Sequence, residues 1–237
     1  MAKVETISQG FSLGTDQGNL AFCGVTLVEG SKRILVDVAH NGRRTLLLDR
    51  LKERGLRPDD IDYVFLTHSH WDHMLNIDLF PNAKVLIHPL EREYVKQPLD
   101  TDWATTGYTS LILESTQLQE VRGGDELDDG VSVIETPGHS RGSMALLVRS
   151  DDATLAISGD ALPNALSVKS GLPRIVFWDE TEARASIRRL LDTAATFYPG
   201  HDRPFRVGDA GAITYLQPTG LRVLACPSPV RAMRASR

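Results

Sequence analysis

The chain has 237 residues, a formal net charge of −5, and 41% hydrophobic and 24% charged residues. Those proportions exclude a disordered chain, a collagen and a coiled coil, and the length suits one domain with its own core. The acidic balance gives no general attraction to nucleic acid or to an anionic membrane. Two cysteines, Cys23 and Cys226, cannot build a disulfide framework or a Cys-rich zinc site, and two free thiols are expected rather than a bridge. The N-terminal MAKVETISQG has no apolar core and no run approaches the length of a membrane span, so a soluble, cytoplasmic protein is expected.

In chain order, LAFCGVTLVE (20–29) and RILVDV (33–38) read as a hairpin feeding the core, turned by Gly30 and Ser31. Leu47, Leu48 and Leu51, followed by Gly55 and Pro58, predict a short helix. DYVFLT (62–67) and KVLIH (84–88) read as buried strands. Residues 89–115 form a long excursion, part helix and part loop. VSVIETP (131–137), MALLVRS (144–150) and TLAISGD (154–160) make a second series of strands joined by Gly-rich turns. Asp179 to Ala194 predicts a helix, with Asp179 as its cap, Glu182 three residues on, and an apolar stripe of Ala183, Ile187, Leu190, Leu191 and Ala194. TFYPGH (196–201) supplies one more strand. Two sheets packed face to face with helices outside are expected for residues 1–217, and residues 218–237, with four Arg and no acid, form an irregular tail.

Three histidines and an aspartate crowd the window HSHWDH (68–73). In an extended segment His68 and His70 project to one side and Asp72 follows, whereas His73 needs a turn to join them. That turn is expected here, because DYVFLT ends a strand and MLNIDLF reads as the first turn of a helix. His139 in TPGHS, Asp160 in SGDA and His201 in YPGHD each stand at a strand end beside glycine, which lets the backbone bend sharply toward a shared centre. Five imidazoles and two carboxylates are the ligands that zinc and related divalent ions select without thiolates, in number enough for two ions. His40 and His88 fall outside the pattern. Trp71 is expected to pack beneath the loop.

HSHWDH, PGH, GD and GH in this order resemble the metallo-β-lactamase-fold hydrolases, from about residue 20 to residue 207. The resemblance implies an α/β fold, a four-layer αββα sandwich with the metal centre in a cleft at one edge. It implies that His68, His70 and His139 hold one divalent ion, that Asp72, His73 and His201 hold a second, and that Asp160 bridges them. Zinc suits the set best, with manganese or iron as alternatives. Asp37 is similar to the family's buried aspartate that orients a metal loop, although closing a backbone turn explains it equally well.

The resemblance further implies hydrolysis, with hydroxide generated at the metals and Asp72 as the catalytic residue that positions it and passes its proton on. The small lactonases are the most similar branch, and a lactone or ester is the expected small-molecule substrate. Pro163 stands where those enzymes carry a tyrosine, and Leu75 where a glycine is usual. A thioesterase of the glyoxalase II type, a phosphodiesterase or nuclease (PFRV after PGHD resembles one such subgroup), and a catalytically silent metal-binding regulator are the alternatives. Nucleic acid and membrane are not expected partners, and the choice between monomer and homodimer stays open. The pocket wall is expected from Trp103 and Tyr108, from Lys169, Arg174, Phe177 and Trp178, and from Phe205. Their aromatic rings suit an apolar substrate body, or else close the core beneath loops.

Overall fold

Apolar residues at odd and even positions of one strand leave by opposite faces, so a strand apolar at both must be covered on both sides. The computed structural model describes residues 2–149 and 153–222 and is built from such strands. The first half of the chain forms β1 (Lys3–Ser8), β2 (Phe11–Thr15), β3 (Gly18–Phe22), β4 (Val25–Glu29), β5 (Arg33–Val36), α1 (Arg44–Glu53), β6 (Tyr63–Phe65), α2 (Trp71–Met74), β7 (Lys84–Ile87), α3 (Pro89–Tyr94), α4 (Thr109–Glu114) and β8 (Gln117–Glu120). The second half forms β9 (Glu126–Asp128), β10 (Val131–Glu135), β11 (Met144–Arg149), β12 (Thr154–Gly159), α5 (Ala165–Ser170), α6 (Glu180–Thr193), β13 (Thr196–Pro199), β14 (Phe205–Val207) and β15 (Ile213–Tyr215). One sheet has the order β1-β4-β5-β6-β7-β8 and the other β15-β14-β13-β12-β11-β10-β9, while β2 and β3 pair with each other.

Three apolar seams separate four layers. Val28 of β4, Ile34 and Val36 of β5, Phe65 of β6 and Leu86 of β7 meet Val131, Val133, Met144, Leu146, Val148 and Ile157 between the sheets. Their strand neighbours Leu27, Leu35, Val64, Val85 and Ile87 face the other way, against Leu47 and Leu51 of α1 and Leu113 of α4. On the far side Ala145, Ala156, Phe197 and Phe205 pack with Ile187 and Leu190 of α6. The αββα order expected for the chain is therefore present, one seam per interface between layers.

Several expectations need adjustment. The strand expected over 20–29 is broken at Cys23 and Gly24: Gly24 donates its N–H to the Gly200 carbonyl at 2.6 Å, and that close approach sends residues 18–22 to pair with β2 instead. The helix expected to start near Met74 ends there, with His70 as its N-cap. Phe205, expected on the pocket wall, lies fully buried beneath α6. Of the expected tail, residues 218 and 220 are tied to the Gln9 side chain, and residues 223–237, Cys226 among them, lie outside the described residues. Among the described residues no helix is long and apolar enough to cross a membrane.

Candidate metal centre

β5, β6 and β7 run parallel, and so do β12 and β13; β10, two antiparallel steps from β12, shares its direction. The segments that follow these strands therefore gather at one edge of the sandwich. His68, His70, Asp72 and His73 come there from the loop and first helical turn after β6, His139 after β10, Asp160 after β12 and His201 after β13. Glycine permits the crowding. Gly159 sits at φ 49° against the Thr67 side chain, and a Cβ on Gly200 would collide with Asp160 Oδ1.

The seven side chains form two adjoining clusters. His68 Nε2 lies 2.9 Å and His139 Nε2 3.0 Å from His70 Nδ1. Next to them, His201 Nε2 stands 3.2 Å from Asp160 Oδ2 and 3.4 Å from Asp72 Oδ2, and His73 Nε2 stands 3.5 Å from Asp160 Oδ1. Asp160 also reaches His139 Nε2 at 3.5 Å, so it touches both clusters.

The far nitrogens decide what the near ones are. Thr67 spends its hydroxyl hydrogen on Asp37 Oδ2, at 2.9 Å, so His68 Nδ1, 3.0 Å from that hydroxyl, must donate to it. His139 Nδ1 donates to the Ile175 carbonyl at 2.9 Å, and His73 Nδ1 donates to Asp37 Oδ2 at 2.8 Å. A neutral imidazole with one nitrogen protonated has a bare lone pair on the other. His68 and His139 therefore aim lone pairs inward, and His73 does so where a metal ion takes the place of its second proton. His73 Nε2 and Asp160 Oδ1 are buried with no hydrogen-bond partner, a condition that costs about 1–3 kcal/mol per atom unless something positive fills the space. A divalent cation would satisfy these atoms, and the donor set of imidazole and carboxylate fits zinc, manganese or iron.

Charge is divided the same way. Burial pushes the His68 imidazolium well below its ordinary range and that of His139 down to about 4, so both remain neutral. Burial opposes charge on His73 and His201 too. The acids around His73 (Cys23, Asp72, Asp37 and Asp160) outweigh it, and Asp160 and Asp72 do so for His201, so both are raised. Asp160 is held well below the usual carboxylate range, His201 and His73 overcoming its burial. The carboxylate side thus calls for positive charge, which a metal ion would supply.

Asp37 does both things expected of it. At φ 55° it turns the chain after β5, and its carboxylate accepts from Thr67 N at 2.8 Å as well as from His73. Two other carboxylates escaped the sequence reading. Glu91 of α3, fully buried, accepts from Ser69 N and Oγ and from Ser140 Oγ and Gly142 N at 2.7–3.0 Å, which ties the His68–His73 loop to the His139 loop. Asp102, also buried, lies 3.4 Å from His70 Nε2. Nothing in the spacing marks Glu91; Asp102 with Thr105 three residues on does carry the pattern of an Asx turn.

A cavity of about 390 Å³ opens over the clusters, lined by Trp71, Trp103, Phe177, Ile175, Pro163 and Arg174 among others. Trp71 meets the His40 ring at a 60° tilt and faces this cavity rather than lying beneath the loop. Tyr108 is exposed at the start of α4, Trp178 packs on Tyr94 and Arg141, and Lys169 sits on α5; none of the three is among the lining residues. His40 and His88 have local duties, each capping a helical turn by accepting a backbone N–H, from Gly42 and Leu90.

Residues 18–201 match the family model of the metallo-beta-lactamase superfamily. Metallo-beta-lactamase domain-containing protein 1 of Xenopus laevis is 30% identical over 184 residues, 77% of this chain and 72% of that protein. An N-acyl homoserine lactonase of Bacillus cereus is 28% identical over 75% of this chain and 68% of its own. A Staphylococcus aureus protein described as a probable metal-dependent hydrolase shares the fold, with a TM-score of 0.75 at 17% identity over 93% of this chain and 98% of the other. A match over residues 18–201, carrying all seven converging side chains, means that the chain belongs to the metallo-beta-lactamase superfamily of metal-dependent hydrolases.

Proposed function

We propose that the protein is a dinuclear metal hydrolase of a lactone or ester, with His68, His70 and His139 holding one ion, Asp72, His73 and His201 the other, and Asp160 between them. The observation that carries this reading is the pair of adjoining clusters whose lone pairs face inward and which share Asp160. Divalent ions bound there would supply Lewis acidity and a nucleophile at neutral pH. The chain's own residues then have separable tasks. Asp72 Oδ2, 3.4 Å from His201 and open to the cavity, orients the attacking water and receives its proton. Trp71, Trp103 and Phe177 hold an apolar body and exclude water from it. Among the described cavity-lining residues Arg174 is the one Arg or Lys, and it would face an anionic substituent of the substrate.

The lactonase likeness supports a carbonyl centre. One observation favours phosphodiesters as a second reading. A wider groove of about 1,070 Å³, carrying Arg43, Arg50, Arg54, Arg203 and Arg222, meets the cavity at Asn164 and His201. Steady-state hydrolysis of an acyl homoserine lactone and of a phosphodiester by the metal-loaded protein separates them. A lactone kcat/KM above roughly 10⁴ M⁻¹s⁻¹ supports the first reading. A silent lactone with efficient phosphodiester cleavage replaces it with the second. Two tightly bound ions with no turnover of any ester, lactone, thioester or phosphodiester point instead to a metal-binding regulator.

A further inference from the structure

His70 differs from the other imidazoles in how it is held. His68 and His73 are oriented by Thr67 and Asp37, from the segments that follow β6 and β5, and His139 by the Ile175 carbonyl, from the loop between α5 and α6. His70 is met from the excursion between β7 and β8, by Asp102. That carboxylate has no exposed side-chain surface. Its Oδ1 accepts from Ala104 N at 3.0 Å and Thr105 N at 3.1 Å, and its Oδ2 from Tyr94 Oη and Thr105 Oγ1, both at 2.8 Å. With four donors aimed at its two oxygens, this carboxyl acts as an acceptor at each of these contacts. The ring nitrogen facing it, His70 Nε2 at 3.4 Å, therefore carries the proton, and the lone pair is left on Nδ1. That is the nitrogen 2.9–3.0 Å from His68 Nε2 and His139 Nε2. A second tie holds the two segments in register, Trp71 N donating to the Ala104 carbonyl at 3.1 Å.

We infer that Asp102 is a positioning residue for the metal centre: it fixes the Nε2–H tautomer and ring orientation of His70, so that the excursion which carries the cavity's Trp103 also completes the first ion's ligand set. The inference rests on the metal reading above. Removing such an outer partner typically weakens metal binding about 10–100-fold. Asp102→Asn keeps the shape of the side chain and removes its charge. An amide can turn its NH₂ toward the ring, which favours the opposite tautomer and aims a hydrogen into the cluster.

Two measurements on the full chain test it. In the metal-free wild type, ring ¹⁵N NMR of His70 is expected to show Nε2 protonated and Nδ1 bare. In Asp102→Asn, zinc competition against a chromophoric chelator is expected to show the tighter or weaker of two sites losing affinity about 10–100-fold while the other moves less than about threefold. Cobalt substitution identifies the affected site by its nitrogen-rich spectrum. Unchanged affinity at both sites in a folded Asp102→Asn variant overturns the inference, and so does a His70 ring protonated at Nδ1 in the wild type. If the variant does not fold, the wild-type tautomer alone decides. Failure of the wild type to bind any divalent ion defeats the metal reading itself, a result distinct from either.

Discussion

Thr67, a residue of no chemical distinction in the sequence, spans two systems. Its N–H and hydroxyl both donate to Asp37, its hydroxyl oxygen also accepts from His68 Nδ1–H, and its carbonyl accepts from Met144 N of the facing sheet at 2.8 Å. Its side chain is also what leaves Gly159 no room for a Cβ. Similar crowding at Gly200 makes a sharper prediction. In Gly200→Ala the new methyl must displace Asp160 Oδ1, so the side chain that touches both clusters moves. The zinc content of the dialysed variant is expected to fall below two per chain, with loss of hydrolysis and little change in far-UV circular dichroism. Two retained ions at wild-type affinity would remove Asp160 from the bridging role. At this scale the sequence was a good guide to which side chains meet. All seven proposed ligands converge, because the segments that carry them follow strands whose ends gather at one edge. It was a poor guide to Glu91 and Asp102, whose roles come from contacts between segments 22 to 51 residues apart.

Among elements, α6 shows how local signals and packing combine. Asp179 accepts the Glu182 N–H at 2.8 Å, as its place before the helix implies, and Ile187 and Leu190 are buried against the second sheet. Asp179→Ala is expected to cost about 1 kcal/mol by loss of the cap. Leu190→Ala is expected to cost about 2–5 kcal/mol, because a cavity remains where the helix meets Phe197 and Phe205. Urea unfolding of both variants would check the ranking, and an equal cost would show that burial beneath α6 is not what fastens it. The strands that escaped the sequence reading are mostly the marginal ones. β8 is exposed along nearly its whole length, and β9, β14 and β15 have three residues each, too few to show a period of two. Central strands, apolar on both faces, were legible because nothing else buries such a run.

For the molecule as a whole, the three seams hold the layers together, and the metal edge is where polar groups replace them. A ligand that binds only the folded state stabilises it by about 4 kcal/mol at a thousand times its Kd. For a chain of this size each kcal/mol is worth about 2–4 °C. Removal of the ions by a chelator is therefore expected to lower Tm on the order of 10 °C per tightly held site, and restored zinc to bring it back. A chelated protein that melts at the temperature of the loaded one would mean that these clusters do not hold ions in the folded state.

The proposed ligand set is also divided between the two halves of the chain. His68, His70, Asp72 and His73 follow a strand of the first sheet, and His139, Asp160 and His201 follow strands of the second. Among the described residues the chain passes from one sheet to the other once, through residues 121–125 between β8 and β9. Cut at that point, neither fragment would own a complete set for either ion. The pair would then behave as a split protein whose complementation is gated by zinc, with hydrolysis as the reporter.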